Sequence, residues 1–352
     1  MSEQLIVPVV LSGGGGTRLW PYSTNETPKQ FLRLLGQKTP FSETLGRVSD
    51  RRRFEVPIVV AGHLHAELCE RELSEAGHDA HLIIEPCARN TAAAIGLAAR
   101  FVVGEFGGDA LLLVMPSDHV IDDVPAFIEA VRVGESAAEA GRLVTFGVRP
   151  TYADTGYGYI QSGSELTNTS GALEVERFVE KPPRDRAEAM VADGKHLWNA
   201  GIFLFRAQDL LDELNKLAPK IFAAAEGAIA GSVREGIRIV PSANALETCP
   251  RESIDYAVME HSSRVAVVPM AAGWSDLGSW DALAALDGTP ADEPVTLIDC
   301  DDCYVRSEGP PVAALGVRDL IVVASHRGVL VLPRGRSQEV KQLLAAMADK
   351  AP

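Results

Sequence analysis

Short, nearly uninterrupted apolar runs punctuate the first 150 residues, and each is followed by a polar or amphipathic stretch. Ile6 to Leu11, Pro57 to Gly62, His81 to Glu85, Ala110 to Met115 and Leu143 to Val148 are rich in Val, Ile and Leu and only a few residues long. Runs of that length and composition read as buried strands. Between them, residues 64–76, 90–103 and 127–140 carry helical spacing. Leu64, Leu68 and Leu73 are placed for one face, and Asn90 or Thr91 can cap the Ala-rich second helix. Strands that alternate with helices in this way predict a doubly wound, mostly parallel α/β sheet.

The middle of the chain changes character. Thr155-Gly-Tyr-Gly-Tyr159 is a glycine-aromatic stretch, followed by a strand at 174–178, a charged helix over 184–192 and an apolar strand at 202–205 opened by Trp198-Asn199. Helices are expected to about residue 229, another over 253–260 with Ser253 as its cap, and a strand over 264–269. The last sixty residues hold short apolar runs at 295–298, 303–305, 312–315, 320–323 and 329–332, then a helical stretch near 337–347. They predict a small all-β appendage, with domains of residues 1–288 and 289–352. No internal repeat is evident.

Charge narrows the function classes. A formal net charge of −15 over 352 residues disfavours nucleic acid or an anionic membrane as partner. No apolar run reaches 18 residues, and a short polar start leads directly into the first strand, so a cytoplasmic protein is expected. Five scattered cysteines are expected to be reduced. Cys300-Asp-Asp-Cys303 has metal spacing but lacks a second ligand pair, and His63 and His65 read as a surface pair.

The first apolar run ends abruptly in Gly13 to Gly16, with Arg18 and Lys29 close behind. Glycines let backbone N–H groups approach a phosphate, and the two cations can neutralise it. The P-loop ending Gly-Lys-Ser/Thr is missing, and so is the third glycine of the dinucleotide fingerprint. Taken alone, the glycines fit a tight turn equally well. Further polar groups follow at successive strand ends: Glu85 to Thr91, Asp118, Glu180-Lys181 and Asp276. On a parallel sheet such ends converge on one rim. Asp118 and Asp276 suit a hard divalent cation, while Arg18, Lys29 and Lys181 suit two phosphate groups.

Leu11-Ser-Gly-Gly-Gly-Gly-Thr-Arg-Leu-Trp-Pro21 together with Pro28-Lys29-Gln30-Phe31 resembles the signature of the sugar-nucleotide pyrophosphorylases. The Trp20-Pro21 and Lys29-Gln30-Phe31 forms resemble the branch that activates mannose 1-phosphate with GTP. Glu85-Pro86, Arg89-Asn90-Thr91-Ala92, Pro116-Ser117-Asp118-His119, Phe178 to Pro182, Leu197-Trp198-Asn199, Ser253 to Glu260 and Trp274 to Trp280 match in the same order. Gly15, Ala93 and Ala200 depart from the usual residues without removing a charge.

The resemblance implies a Rossmann-like, glycosyltransferase-A-like nucleotidyltransferase with a β-helix-like tail. It implies transfer of GMP from GTP to mannose 1-phosphate with Mg²⁺. In that scheme Arg18, Lys29 and Lys181 are catalytic. Leu11, Gly13, Gly14, Gly15, Gly16 and Thr17 bind the nucleotide, and Glu85, Arg89, Asn90 and Thr91 meet its base. Gly158, Glu180 and Asn199 line the sugar, and Asp118 and Asp276 hold the metal. The all-β appendage is a candidate surface for a homodimer. Two alternatives remain: a pyrophosphorylase for another base or sugar, and a catalytically silent sensor.

Overall fold

Eleven strands, most of them apolar, pair into one sheet. They are β1 (Val7–Ser12), β2 (Ile58–Gly62), β3 (His81–Glu85), β4 (Leu111–Pro116), β5 (Leu143–Val148), β6 (Gly158–Glu165), β7 (Leu173–Glu180), β8 (His196–Arg206), β9 (Val233–Glu235), β10 (Arg238–Val240) and β11 (Val265–Pro269). The spatial order is β9-β10-β3-β2-β1-β4-β8-β5-β11-β7-β6. The computed structural model describes residues 5–14, 16–167, 169–287 and 294–348.

The sheet is mixed rather than mostly parallel. Parallel pairing joins β10, β3, β2, β1 and β4, and again β5 with β11. β8 lies between β4 and β5 and runs antiparallel to both. The β6–β7 hairpin and the helix Arg184–Ala192 return the chain to the edge where β5 ends, so β8 has to run back along it. Its early residues Trp198 and Asn199 therefore pair with Val148 and Gly147 at the carboxyl end of β5. The register of β6 sets Tyr159 opposite Trp198 and Gly158 opposite Glu180.

The helix Asn90–Phe106 is buried along most of its length, and it shares one core with Leu210, Leu214, Ile221 and Ala225 of the two helices Ala207–Leu217 and Pro219–Ala230. A Cβ at its Gly96 would lie 3.2 Å from the Cβ of Ala225, a close approach that glycine allows without any shift of the neighbouring helix. Each large apolar side chain fully buried in such a core contributes about 1.5–3 kcal/mol.

Several expectations change. Arg89 stands at the cap position of this helix without a side-chain cap bond; two first-turn donors are satisfied otherwise, the Thr91 N–H by Asn90 Oδ1 and the Ala92 N–H by the Glu252 carbonyl. The helix Ala66–Ala76 follows a 3₁₀ turn, His63–His65, which turns His65 inward and leaves Leu64 74% exposed. Cys69 and Leu73 form the buried face. Residues 253–260 contain a π-helical turn, Asp255–Met259, in place of a regular helix, and the Tyr256 N–H donates to Ser253 Oγ.

The chain divides into two compact units. The sheet unit holds residues 5–13, 44–117 and 121–274; the other gathers the described residues of 14–43, 118–120 and 275–348. The second unit thus takes the segment after Gly13 together with the C-terminal strands. Trp280 is fully buried in it, edge-on to Tyr22 at 5.3 Å, and donates from Nε1 to the Trp20 carbonyl. Residues 288–290, where the linear boundary was expected, lie outside the described residues.

Five strands form the tail: β12 (Val295–Ile298), β13 (Tyr304–Glu308), β14 (Val312–Leu315), β15 (Leu320–Ser325) and β16 (Gly328–Pro333). β12 pairs in parallel with β14, and β13 with β15; Val295 faces Val312 and Tyr304 faces Ile321, seventeen residues apart in both cases. One coil stacks on the next, a repeat that the sequence conceals. Left-handed corners recur at the same offset, Asp299 over Gly316 and Asp302 over Asp319. Cys300 and Cys303 sit at these corners with their thiols on backbone carbonyls, which accounts for their spacing without a metal. All five cysteines are free thiols.

Candidate active site

The carboxyl edge of the sheet unit carries two groups of site residues. β3 ends in Glu85, paired in register with Gly62 and buried. Its carboxyl has no hydrogen-bond partner among the described residues, and burial pushes it up to about 7. Beyond it, the Arg89 guanidinium donates to the Leu246 and Glu247 carbonyls at 2.9 and 2.6 Å. Asn90 adopts a left-handed conformation and accepts from the Thr91 N–H, while Thr91 Oγ1 accepts from the Ile254 N–H. Arg89 and Thr91 thus brace the 246–254 segment.

The second group forms where β6, β7 and β8 meet. The Glu180 carboxylate is only 6% exposed and lies 2.5 Å from Lys181 Nζ. A Cβ on Gly158 would stand 2.5 Å from Glu180 Oε2 and 3.3 Å from Asn199 Cβ, so only glycine leaves this carboxylate its place. The Glu180 N–H donates to Glu260 Oε1. Asn199 Nδ2 donates to Asp255 Oδ1 at 2.8 Å, and Asn199 Oδ1 accepts from Thr145 Oγ1 and the Gly201 N–H. Burial and then the Glu180 charge push Asp255 up to about 6. Burial opposes the charge on Lys181, but Glu180 and Asp255 outweigh it and hold the ammonium above its ordinary value. Gly158, Glu180, Lys181 and Asn199 are thus gathered as a cluster. Asp255 and Glu260 belong to it too and were missed, because a helical reading of 253–260 gave neither a direction.

The second unit holds the other set. Gly14 and Gly16 have φ of +87° and +53°, and a Cβ at Gly16 would come within 2.9 Å of Lys29 Cγ. Glycine is required there both by conformation and by the close approach of Lys29. The Gly16 carbonyl accepts from Ser23 Oγ at 2.7 Å, and Thr17–Leu19 forms a 3₁₀ turn. Lys29 is buried, its side chain 8% exposed. Its ammonium meets Asp118 Oδ2 at 3.0 Å, the Leu277 carbonyl at 3.2 Å and the Asp276 carbonyl. Burial alone would raise Asp118, but Lys29 together with His119 outweighs it and keeps this carboxyl below its ordinary value. Asp276 Oδ1 accepts from the Gly278 N–H. Arg18 donates to Gln338 Oε1 at 2.7 Å.

Lys29 therefore joins the two segments that carry Asp118 and Asp276. The ammonium rests on an all-oxygen donor set, the ligand type a hard divalent cation prefers. Two carboxylates are too few to enclose a metal alone, and among the described residues no group of three or more His, Cys, Asp or Glu side chains could do so. The Asp118 carboxylate is paired with Lys29, and Asp276 reaches the ammonium through its backbone carbonyl. Leu11 lies in β1, where its carbonyl accepts from the Ser117 N–H, and Gly13 follows with open space at its Cβ position. Gly15 lies outside the described residues.

A nucleotidyl transferase family model matches residues 7–289. A mannose-1-phosphate guanylyltransferase of Klebsiella pneumoniae is 42% identical over 96% of this chain and 73% of its own length. The chain belongs to the mannose-1-phosphate guanylyltransferase family of nucleotidyl transferases. The Salmonella typhimurium guanylyltransferase RfbM of this family is 41% identical over 96% of the chain and 71% of its own length. A solved protein of Thermus thermophilus, described as a mannose-1-phosphate geranyltransferase, superposes with a TM-score of 0.83 at 31% identity, covering 99% of this chain and all of that one. Residues 293–347 match a mannoseP isomerase/GMP-like beta-helix domain, in keeping with the stacked coils of the tail.

Proposed function

We propose that this chain transfers GMP from GTP to α-D-mannose 1-phosphate, giving GDP-mannose and pyrophosphate. A sugar-phosphate oxygen forms the new bond to the α-phosphorus while the bond to the β-phosphate oxygen breaks, and pyrophosphate carries away the electron pair. The attacking oxygen is already an anion near neutral pH, so no general base is needed. The task is to align two anions whose repulsion is roughly 4 kcal/mol per pair of unit charges at 4 Å and an effective dielectric near 20.

The observation that carries this reading is Lys29, a buried ammonium among a carboxylate and two carbonyls, beside glycines with left-handed backbone. Lys29, with Arg18 and the N–H groups of residues 13–17, serves the triphosphate and its developing charge. Asp118 and Asp276 are the residues that would hold Mg²⁺, which supplies further neutralisation of the phosphates. Lys181 grips the sugar phosphate, while Gly158, Glu180 and Asn199 line the sugar. Glu85 accepts from the N1–H and N2–H donors of guanine, a match for a buried carboxylate that lacks other partners.

The test is a panel. Purified protein with Mg²⁺ is incubated with each of four NTPs and several hexose 1-phosphates, and released pyrophosphate is measured. Release is expected foremost with GTP and mannose 1-phosphate, and it should vanish on chelation of the metal. No release in any pairing would leave a silent sensor; preference for another NTP would overturn the guanylyl assignment.

A further inference from the structure

Asn199 has little left to offer a ligand. Its carbonyl oxygen already accepts from Thr145 Oγ1 at 2.8 Å and from the Gly201 N–H at 3.1 Å, and its Nδ2 donates to Asp255 Oδ1 at 2.8 Å. One amide hydrogen remains. The direction of that hydrogen is fixed by the other three bonds, because an amide held at both ends cannot flip without breaking all of them. Thr145 is fully buried and also reaches the Ile202 carbonyl. On that side the constraint is built into the core of the sheet. On the other side it rests on Asp255.

Asp255 opens the π-helical turn Asp255–Met259, and single π turns are frequent at functional sites. It receives the Asn199 amide, and its charge is felt by Lys181. Lys181 is in turn bonded to Glu180, whose carboxylate fills the space that Gly158 leaves open. Asp255 thus connects to two members of the cluster, to Asn199 by a bond and to Lys181 through its charge.

We infer that Asp255 is a positioning residue for the sugar phosphate: it aims the remaining Asn199 hydrogen at the sugar, without itself reacting. This rests on the reading of Gly158, Glu180, Lys181 and Asn199 as the sugar-phosphate site. It goes beyond that reading in giving Asp255 control of one substrate and not the other. The nucleotide-side residues Glu85 and Lys29 have no hydrogen bond or ion pair with Asp255 among the described contacts.

The test compares Asp255→Ala, Asp255→Asn and Thr145→Val with the unaltered protein, by KM for each substrate and by calorimetric titration with mannose 1-phosphate. Loss of one hydrogen bond to a charged group corresponds to about 10- to 100-fold in affinity. Asp255→Ala is expected to raise the KM and Kd for mannose 1-phosphate by that factor, with the KM for GTP held within about 2-fold. Asp255→Asn keeps an acceptor for the Asn199 amide, so it should recover most of the loss. Thr145→Val frees the opposite end of the same amide and should raise the sugar-phosphate KM by several-fold. The inference is overturned if Asp255→Ala leaves sugar-phosphate binding unchanged, or if the KM for GTP rises equally. Should Asp255→Ala fail to fold, the other two variants decide: recovery by Asn together with selective weakening by Thr145→Val supports the role, and no selective weakening refutes it. If the unaltered protein gives no turnover and binds no mannose 1-phosphate, it is the proposed reaction that fails, a separate result from unequal variants of an active protein.

Discussion

Lys181 and Lys29 are both ammonium groups held by carboxylates, yet their surroundings differ. Lys181 has a side chain 55% exposed, beside Glu180 and within reach of the Asp255 charge. Lys29 is 8% exposed and is gripped by Asp118 and two backbone carbonyls. A cation at the surface can leave its carboxylate at small cost and follow a ligand. A buried one cannot, since its departure strands both the charge and the carbonyls that it satisfies. The comparison separates a half-exposed cation beside one carboxylate from a buried one that is part of the frame.

That contrast is broken most directly by Lys29→Ala. Turnover is expected to fall by about 10³-fold, the scale of losing a pre-organised charge on a developing anion. Thermal stability should also fall, because Asp118 loses its buried partner. A variant with full turnover would refute the role of Lys29, and circular dichroism with a melting curve shows whether the loss is merely unfolding. Lys181→Ala should act differently, raising the KM for mannose 1-phosphate by about 10²-fold through a lost charge-assisted contact while leaving the melting temperature close to that of the parent. Equal stability losses in the two variants would erase the distinction.

Glu85→Gln sharpens the account on the nucleotide side. The Glu85 carboxyl in the fold is raised from its ordinary value of 4.5 to about 7, so the fold disfavours its ionised form. That penalty is absent below about pH 4.5, grows as pH rises, and is complete above about pH 7. The glutamine variant should therefore be more stable than the parent at pH 8, by up to about 3 kcal/mol, with the difference disappearing toward pH 4.5. Its KM for GTP should rise by about 10-fold, since an amide cannot accept both guanine donors. In the parent the KM for GTP should climb as pH falls from 8 to 6, and in the variant this slope should flatten. The smallest effect is expected of Gln338→Ala, which removes an exposed partner of Arg18. Stability should shift by less than about 0.5 kcal/mol and kcat/KM for GTP by less than about 3-fold. A large change would show that the tail helps to position Arg18.

The two regions also differ in how far they could be read from sequence. The glycines, Arg18 and Lys29 lie in one contiguous stretch, and the cations close behind the glycines turned a run that alone fits a tight turn into a candidate phosphate loop. The pairing of Lys29 with Asp118 and the 276–277 backbone needed the fold, because the residue types had pointed Lys29 at phosphate and Asp118 at a metal ion. At the sheet edge the position is reversed. Glu180, Lys181 and Asn199 were found by motif, but Asp255 and Glu260 join them only through the register of β6, β7 and β8 and the π turn. An apolar run carries no sign of its direction, so the antiparallel course of β8 was not legible in residues 196–206. The seventeen-residue coil of the tail escaped for a related reason: its two turns share corner conformations, Asp over Gly and Asp over Asp, more than they share residues. Leu64 misled because its spacing fits a helix that starts only at Ala66.

The central claim is that GMP passes intact from GTP to the phosphate of mannose 1-phosphate. GTP labelled at the α-phosphorus, incubated with mannose 1-phosphate and Mg²⁺, tests it directly. The account predicts that the label appears in GDP-mannose, at the phosphorus attached to guanosine, with one pyrophosphate released per labelled product. Label that remains in GTP, or that is released as free GMP without the sugar, would contradict it.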